Sequence, residues 1–144
     1  MKILIASDHA GFEMKESLSA FLKEKKYEVE DLGPFSFDET DDYPDFINPL
    51  AKEISENGGV GIIIGGSGQG EAIAANRFTN VRAIVYNTNN SEIIKFGREH
   101  NDANILSIGA RFVSIEDAKT ATVSFLTTPF SDDERHKRRI SKLQ

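Results

Sequence analysis

Three short runs of consecutive apolar residues constrain the fold of this chain more than any other feature. Residues 3–6, 60–64 and 83–86 are mostly β-branched or aliphatic, and polar residues do not alternate with them. Strands of this kind bury both faces, as they do in a parallel sheet covered by helices on both sides. Residues 27–32 and 105–108 show the same pattern more weakly. The sequence therefore predicts five parallel strands.

Segments with helical spacing separate the strands. In residues 12–26, Met14, Leu18, Phe21 and Leu22 fall on one helical face. Further helices are expected at 46–56, 71–77, 91–99, 115–126 and 132–143. Strands that alternate with helices form a parallel sheet between two helical layers. We therefore predict an α/β fold with the sheet in the middle.

Size, charge and cysteine content limit the classes of function. The 144 residues fit one domain, 1–144, and no apolar run approaches the ~20 residues that cross a bilayer. The net charge of −6 disfavours binding to nucleic acid or to anionic membranes. The absence of cysteine excludes disulfides, thiolate metal sites and a cysteine nucleophile, and favours the cytoplasm.

The stretch 33–44 is the longest without a predicted helix or strand. It is acidic and contains Pro34 and Pro44. Such a stretch is either a surface connection or a wall of an active site, and its position in the chain does not decide between them.

Ligands of parallel α/β sheets bind beyond the carboxyl ends of the strands, and three polar clusters are expected there. The first is the Ser7-Asp8-His9-Ala10-Gly11 sequence, directly after the first strand. Asp8 either caps the following helix, which leaves His9 incidental, or both side chains face the ligand crevice.

The second cluster is a glycine-rich loop that follows the third strand. Gly65, Gly66, Gly68 and Gly70 let main-chain N–H groups approach an anion closely. The loop lacks the Lys-Ser or Lys-Thr pair of nucleotide hydrolases, and its spacing differs from the dinucleotide fingerprint. An anion-binding loop is predicted, with a structural tight turn as the alternative.

Glu71 places a carboxylate beside this loop, in the first turn of the next helix. It is either a complement to the helix dipole or a general base. The dipole favours ionisation whereas burial opposes it, and the sequence leaves the balance of the two open.

The third cluster surrounds His100, before the fifth strand, with Asn101 beside it. After Glu71, His100 is the strongest candidate for acid–base chemistry. No histidine of the chain has the i, i+4 partner of a zinc-binding helix, so we expect no metal and no cofactor.

Arg135 and Arg139 lie four residues apart on the last predicted helix and therefore share a face. Two arginines in this arrangement can clamp a phosphate through paired hydrogen bonds. The alternative is a solvated face that balances the acidic residues at 132–134.

Taken together, these motifs resemble the type B ribose-5-phosphate isomerases. The resemblance runs from Lys2 to about Ile140 in the order of the family. It is carried by Ser7-Asp8-His9-Ala10-Gly11, by Gly66-Ser67-Gly68-Gln69-Gly70-Glu71 with Ile73-Ala74-Ala75-Asn76-Arg77, by Arg98-Glu99-His100-Asn101, by Gly109-Ala110-Arg111 and by Arg135-His136.

The resemblance implies a Rossmann-like α/β/α domain and a metal-free enzyme that interconverts ribose 5-phosphate and ribulose 5-phosphate. It implies a homodimer, with a tetramer left open, whose sites span the interface and whose helix at 131–143 packs on the partner. Glu71 then moves a proton between C1 and C2, and His100 opens the sugar ring. The implied substrate contacts are Gly66, Ser67, Gly68, Gln69 and Gly70 to the enediolate, Asp8 and Asn101 to hydroxyls, and His9, Arg111, Arg135 and Arg139 to the phosphate.

One branch of that family uses a cysteine base at the position of Gly65, so this chain resembles the glutamate branch. Two other functions remain open. The chain could be a galactose-6-phosphate or allose-6-phosphate isomerase subunit, or a phosphate-binding module without catalysis, which would need neither Glu71 nor His100.

Overall fold

A computed structural model describes residues 1–143, in which five parallel strands form one sheet. The order of the strands is β2-β1-β3-β5-β4, so all five predicted strands are confirmed. Their bounds are β1 (Lys2–Ser7), β2 (Glu28–Asp31), β3 (Val60–Gly65), β4 (Ala83–Tyr86) and β5 (Ile105–Gly109).

Six α-helices connect and flank these strands in the described part of the chain. They are α1 (Phe12–Glu24), α2 (Pro44–Asn57), α3 (Gln69–Ala75), α4 (Glu92–Asn101), α5 (Ile115–Thr127) and α6 (Glu134–Ile140), and a 3₁₀ turn, His9–Gly11, precedes α1. Helix α2 begins two residues before its predicted start, since a proline in the first turn forfeits no helical hydrogen bond. Over residues 1–143, none of the helices has the length and apolar character needed to cross a membrane.

The sheet lies between two separate hydrophobic cores. In β1, Ile3 and Ile5 pack in the core formed with α1, α4 and α5. Leu4 and Ala6 point the other way, into the core formed with α2 and α3. Because both faces of β1, β3 and β5 are buried, their sequences carry continuous apolar runs. The predicted three-layer α/β/α arrangement is confirmed.

The strand order fixes where a ligand can bind. From β1, the chain crosses first to β2 on one side and later to β3 on the other. Connections that diverge in this way leave a crevice at the carboxyl ends of the two central strands. The 3₁₀ turn that follows β1 and the glycine loop that follows β3 therefore meet at the same edge.

A buried lysine lies among the apolar residues of α1. Lys15 is fully buried, and its Nζ lies 2.5 Å from Asp31 Oδ2 and 2.8 Å from Glu16 Oε1. The other oxygen of Asp31, Oδ1, accepts a hydrogen bond from Gly33 N at 2.8 Å. This ion pair therefore fixes the start of the 33–43 segment.

We predict that Gly11→Ala destabilises the protein more than Gly61→Ala. A Cβ at position 11 would lie 2.5 Å from the main-chain oxygen of Ile64, whereas one at position 61 would meet the flexible ends of Ile54 and Leu50 at 2.8 Å. Because backbone yields less than side-chain ends, Gly11→Ala should cost roughly 1–3 kcal/mol of unfolding free energy. Urea denaturation of both variants measures the difference, and an equal or smaller cost at position 11 would contradict the prediction.

Candidate active site

The Glu71 carboxylate lies directly against the backbone of Gly65. Glu71 is 4% exposed, in the first turn of α3, and a Cβ at position 65 would overlap its carboxylate. Any side chain at the end of β3 would therefore displace this carboxylate. Glycine at position 65 and glutamate at position 71 form one structural unit.

Burial raises the pKa of the Glu71 carboxyl above its usual range, and the nearby negative charge of Asp8 raises it further. The backbone N–H of Glu71 opposes this shift by hydrogen bonding to its own side chain. Burial thus outweighs the N-terminal position in the helix, which is the balance that the sequence left open. A carboxylate with a raised pKa is a better general base near neutral pH.

Two side chains hold the carbonyl groups of the glycine loop. Asn87 Nδ2 donates to Ser67 O at 3.1 Å, and Ser107 Oγ donates to Gly68 O at 2.6 Å. Within residues 1–143, the N–H groups of Gly66, Ser67 and Gly68 donate to no protein acceptor. The loop therefore offers N–H donors to a ligand, as predicted for an anion-binding loop.

Arg111 lies over this loop. Its backbone N–H donates to Gly66 O at 3.0 Å, and its Nη1 is 3.2 Å from the place where a Cβ on Gly66 would lie. The missing side chain at position 66 thus lets the guanidinium approach the loop backbone. A ligand bound by the loop N–H groups would also meet a positive charge.

Asp8 caps the 3₁₀ turn, as one of its two predicted roles requires. Its Oδ1 accepts hydrogen bonds from Ala10 N at 2.9 Å and from Gly11 N at 3.2 Å. The side chain also lies close enough to Glu71 to raise the pKa of that carboxyl. Capping and a place at the crevice are therefore compatible for Asp8.

The 33–43 segment forms a wall of the site through Asp41 and Tyr43. Asp41 Oδ1 lies 2.6 Å from His9 Nδ1 and accepts a hydrogen bond from His9 N at 3.0 Å. The Tyr43 ring lies so close to Gly70 that a Cβ there would be 2.8 Å from Cζ. Sequence reasoning missed Asp41, because nothing in its local pattern relates it to a histidine 32 residues away.

Asp8, His9 and Asp41 also form the one group in residues 1–143 whose ligand atoms, all within 4.8 Å of one another, could hold a metal ion. The histidine spacing that argued against metal could not detect it, since its members come from two distant segments. An ion bound through His9 Nδ1 would have to replace the hydrogen bond to Asp41.

Four predicted site residues lie at the opposite edge of the sheet, namely His100, Asn101, Arg135 and Arg139. Helix α4 ends at Asn101 and leads into Ile105, which pairs with Gly61 at the amino end of β3. Gly65, which contacts Glu71, is four residues further along β3, or about 13 Å. The expectation that the His100 cluster lies at the carboxyl ends is wrong, because a helix that precedes a parallel strand ends at the amino end of that strand.

The His100 cluster has an internal order of its own. The centroid of the His100 ring lies 4.4 Å from that of the His136 ring and 5.3 Å from that of the Phe96 ring. His136 is buried, its Nδ1 is 2.7 Å from Ser131 Oγ, and burial together with the nearby His100 lowers its pKa. Sequence reasoning did not assign His136 a role.

Arg135 and Arg139 are both exposed on α6. Arg135 Nε lies 3.6 Å from Asp133 Oδ2. Within one chain, these arginines therefore face solvent and not the glycine loop.

Comparison with known proteins identifies the family. The sequence profile of the family described as Ribose/Galactose Isomerase matches residues 3–143. The chain belongs to the ribose/galactose isomerase family.

Relatives in this family match almost the whole chain. Ribose-5-phosphate isomerase B of Mycobacterium leprae is 39% identical over 99% of this chain and 88% of its own length. The crystal structure of ribose-5-phosphate isomerase B from Mycoplasma genitalium with bound ribulose-5-phosphate superposes with a TM-score of 0.92, at 38% identity, over 98% of this chain and 92% of that one. The crystal structure of the Thermotoga maritima ribose 5-phosphate isomerase superposes with a TM-score of 0.91, at 41% identity, over 99% of this chain and 96% of that one.

We predict that Glu71→Gln stabilises this family member increasingly as the pH rises. A carboxyl group whose pKa is higher in the folded than in the unfolded protein destabilises the fold once the unfolded chain has released its proton. Stability of the wild type should therefore fall relative to Glu71→Gln as the pH rises from the ordinary glutamate pKa of 4.5 to the raised pKa of the folded protein. The difference should stay level above that window and be smallest below it.

Urea denaturation at several pH values and one protein concentration measures this difference. Glu39→Gln is the control, since Glu39 is exposed on the surface. If Glu71→Gln is more stable than the wild type by an amount that does not depend on pH, the raised pKa of the buried Glu71 carboxyl is contradicted.

Proposed function

We propose that this chain is an aldose–ketose isomerase that interconverts ribose 5-phosphate and ribulose 5-phosphate. The observation that carries the proposal is the buried Glu71 carboxylate beside free backbone N–H groups of the glycine loop. Proton transfer next to a carbonyl needs both a base and donors for the developing oxyanion. The relatives named as ribose-5-phosphate isomerase B and the ribulose-5-phosphate complex of one of them support the choice of substrate.

In this mechanism Glu71 removes the C2 proton of the open-chain aldose and returns it to C1. The hydroxyl proton of O2 passes to O1, so that the aldehyde at C1 becomes an alcohol and C2 becomes the ketone carbonyl. The negative charge that develops on the oxygens is stabilised by the N–H groups of Gly66, Ser67, Gly68, Gln69 and Gly70. Of these, Gln69 N already donates to Ser67 Oγ at 3.2 Å and would have to turn toward the ligand. Because the loop is fixed by Asn87 and Ser107, its donors need little reorganisation as the charge forms.

His100 is the proposed acid that opens the cyclic sugar by donating a proton to the ring oxygen. It cannot reach Glu71 of its own chain, because the two lie at opposite edges of the sheet. A second copy of the chain can bring its amino-end edge to this crevice. We therefore assign His100 and Asn101 in each site to the partner subunit.

The phosphate is bound from both subunits in this arrangement. His9 and Arg111 approach it from the subunit that carries Glu71, and Arg135 and Arg139 approach from α6 of the partner. Asp8 and the partner's Asn101 contact sugar hydroxyls. The exposed position of both α6 arginines within one chain favours this assignment over contacts inside the chain.

A homodimer is the smallest assembly that completes the proposed site. Ile73 on α3 and Ile93 and Phe96 on α4 are exposed apolar side chains that a second copy could cover. Residues 1–144 are proposed to act as one domain, with a tetramer left open, in the cytoplasm, where a chain without cysteine needs no oxidising compartment.

The second candidate is a hexose-phosphate isomerase, since the family description includes galactose. Pentoses and hexoses differ in the length of the sugar between the reacting carbons and the phosphate. The ring of Tyr43 lies against Gly70, and we assign it to the wall that limits this length. Substrate comparison decides between the two sugars.

We predict that the purified chain converts ribose 5-phosphate faster than galactose 6-phosphate or allose 6-phosphate, with a chelator present. Glu71→Gln should lower this activity roughly 10²–10⁴-fold, because the base is lost, while inorganic phosphate still binds. A coupled assay of ribulose 5-phosphate measures turnover. Faster turnover of a hexose phosphate would favour the second candidate, and normal turnover by Glu71→Gln would refute the mechanism.

We predict that two inactive variants restore each other when they are mixed. If each site uses Glu71 of one subunit and His100 of the other, a dimer of one Glu71→Gln and one His100→Asn chain contains one intact site. Random assembly of equal amounts then restores about a quarter of the wild-type sites. The two chains are unfolded and refolded together, and turnover of the cyclic sugar is compared with that of each variant refolded alone. No gain on mixing would place both residues of a site in one subunit.

A further inference from the structure

We propose that Asp41 is a positioning residue, which holds His9 as an imidazolium ion and thereby prepares it to bind a phosphate dianion. The inference rests on the proposed function in one respect, the phosphate as the ligand of His9. Asp41 itself touches neither the reacting carbons nor the glycine loop in this assignment.

A single carboxylate oxygen fixes both the backbone and the ring of His9. Asp41 Oδ1 accepts a hydrogen bond from His9 N at 3.0 Å and lies 2.6 Å from His9 Nδ1. Two contacts to one oxygen leave the imidazole little freedom to rotate. With Nδ1 engaged by Asp41, Nε2 is the ring nitrogen left for a ligand.

Burial of Asp41 favours a charged partner. Its side chain is 8% exposed, and its second oxygen, Oδ2, is buried with no hydrogen-bond partner in the described chain. A buried carboxylate is costly unless an opposite charge lies next to it. His9 is the group at hydrogen-bond distance that can supply this charge.

The groups around His9 favour its protonated form on balance. The hydrogen bond to Asp41 raises the pKa of His9, and the negative charge of Asp8 raises it further, whereas burial and Arg111 lower it. Asp38, on the same segment as Asp41, also interacts electrostatically with His9. The centroid of the Phe37 ring lies 6.4 Å from that of the imidazole, with the two ring planes at 82°.

This pairing matters because of the pKa of the ligand. A phosphate monoester loses its second proton near a pKa of about 6, and an ordinary histidine loses its charge near about 6.5. Without a raised histidine pKa, the imidazolium and the dianion coexist over a narrow pH interval. Asp41 extends this interval upward, so phosphate affinity should persist above neutral pH.

The test compares Asp41→Asn with Glu39→Gln, which removes one negative charge from the same segment at an exposed position. The ¹⁵N shifts of the His9 imidazole are followed through a pH titration, and the affinity for inorganic phosphate is measured near about pH 6 and about pH 8. Asp41→Asn should lower the His9 pKa and weaken phosphate binding several-fold at the higher pH, with little change at the lower pH. Glu39→Gln should leave both properties close to the wild type.

Two further measurements keep the inference decidable. In the wild type, the ¹⁵N shifts should give a His9 pKa above the ordinary histidine value of 6.5. A pKa at or below that value would overturn the proposal even if Asp41→Asn fails to fold. Asp41→Glu keeps the charge and should restore part of the raised pKa.

An unchanged His9 pKa in Asp41→Asn would also overturn the inference, whatever the isomerase activity. The opposite outcome separates the two proposals. If Asp41→Asn lowers the His9 pKa but the wild type does not isomerise ribose 5-phosphate, the proposed function is refuted and the pairing of Asp41 with His9 stands. For turnover, the Asp41→Asn effect should appear in KM at the higher pH with kcat nearly unchanged, because the contact serves binding of the phosphate.

Discussion

The contact between the Glu71 carboxylate and the backbone of Gly65 is the constraint on which the rest of the site depends. It requires glycine at the last residue of β3, because a Cβ there would overlap the carboxylate. It also requires the chain to turn sharply into α3, which the left-handed conformation of Gly68, with φ of 79°, permits. The same contact buries the carboxylate and raises its pKa, so the geometry of the turn and the basicity of Glu71 have one cause.

The parallel sheet adds a second constraint, since each crossover places polar residues at both edges of the sheet. Loops after β1 and β3 bring Asp8, His9 and the glycine loop to the carboxyl edge, while the end of α4 places His100 at the amino edge. Arg82, just before β4, fixes that end of α4 through hydrogen bonds from Nε to Asn101 O at 2.9 Å and Asp102 O at 3.0 Å. A rigid chain of this topology cannot join the two clusters, and a second subunit is the simplest way to do so.

Sequence patterns predicted the elements well and the contacts between them poorly. Continuous apolar runs located β1, β3, β4 and β5, and the bounds of β4 were predicted to the residue. The pattern of β2 was weaker, because charged residues alternate along it and one of its faces is exposed. The pairs Lys15–Asp31 and His9–Asp41 were not predicted, since each joins segments whose local patterns are simply polar. The His100 cluster was assigned to the wrong edge because its position in the chain was considered without the direction of the helix that carries it. Glu71 and Gly65 were both noticed, but their mutual contact follows only from the three-dimensional turn.

Three acidic side chains, Asp8, Asp41 and Glu71, lie around a site proposed for an anion, and their different partners explain how this is possible. Asp8 accepts hydrogen bonds from two backbone N–H groups, so its negative charge is stabilised by the turn that it caps. Asp41 faces His9, so its charge makes a cation available to the ligand. Glu71 is buried with its own N–H as its backbone hydrogen-bond donor, and burial shifts its pKa upward. Burial therefore raises the proton affinity of Glu71 for transfer, because it makes the ionised carboxylate less stable than it would be in water.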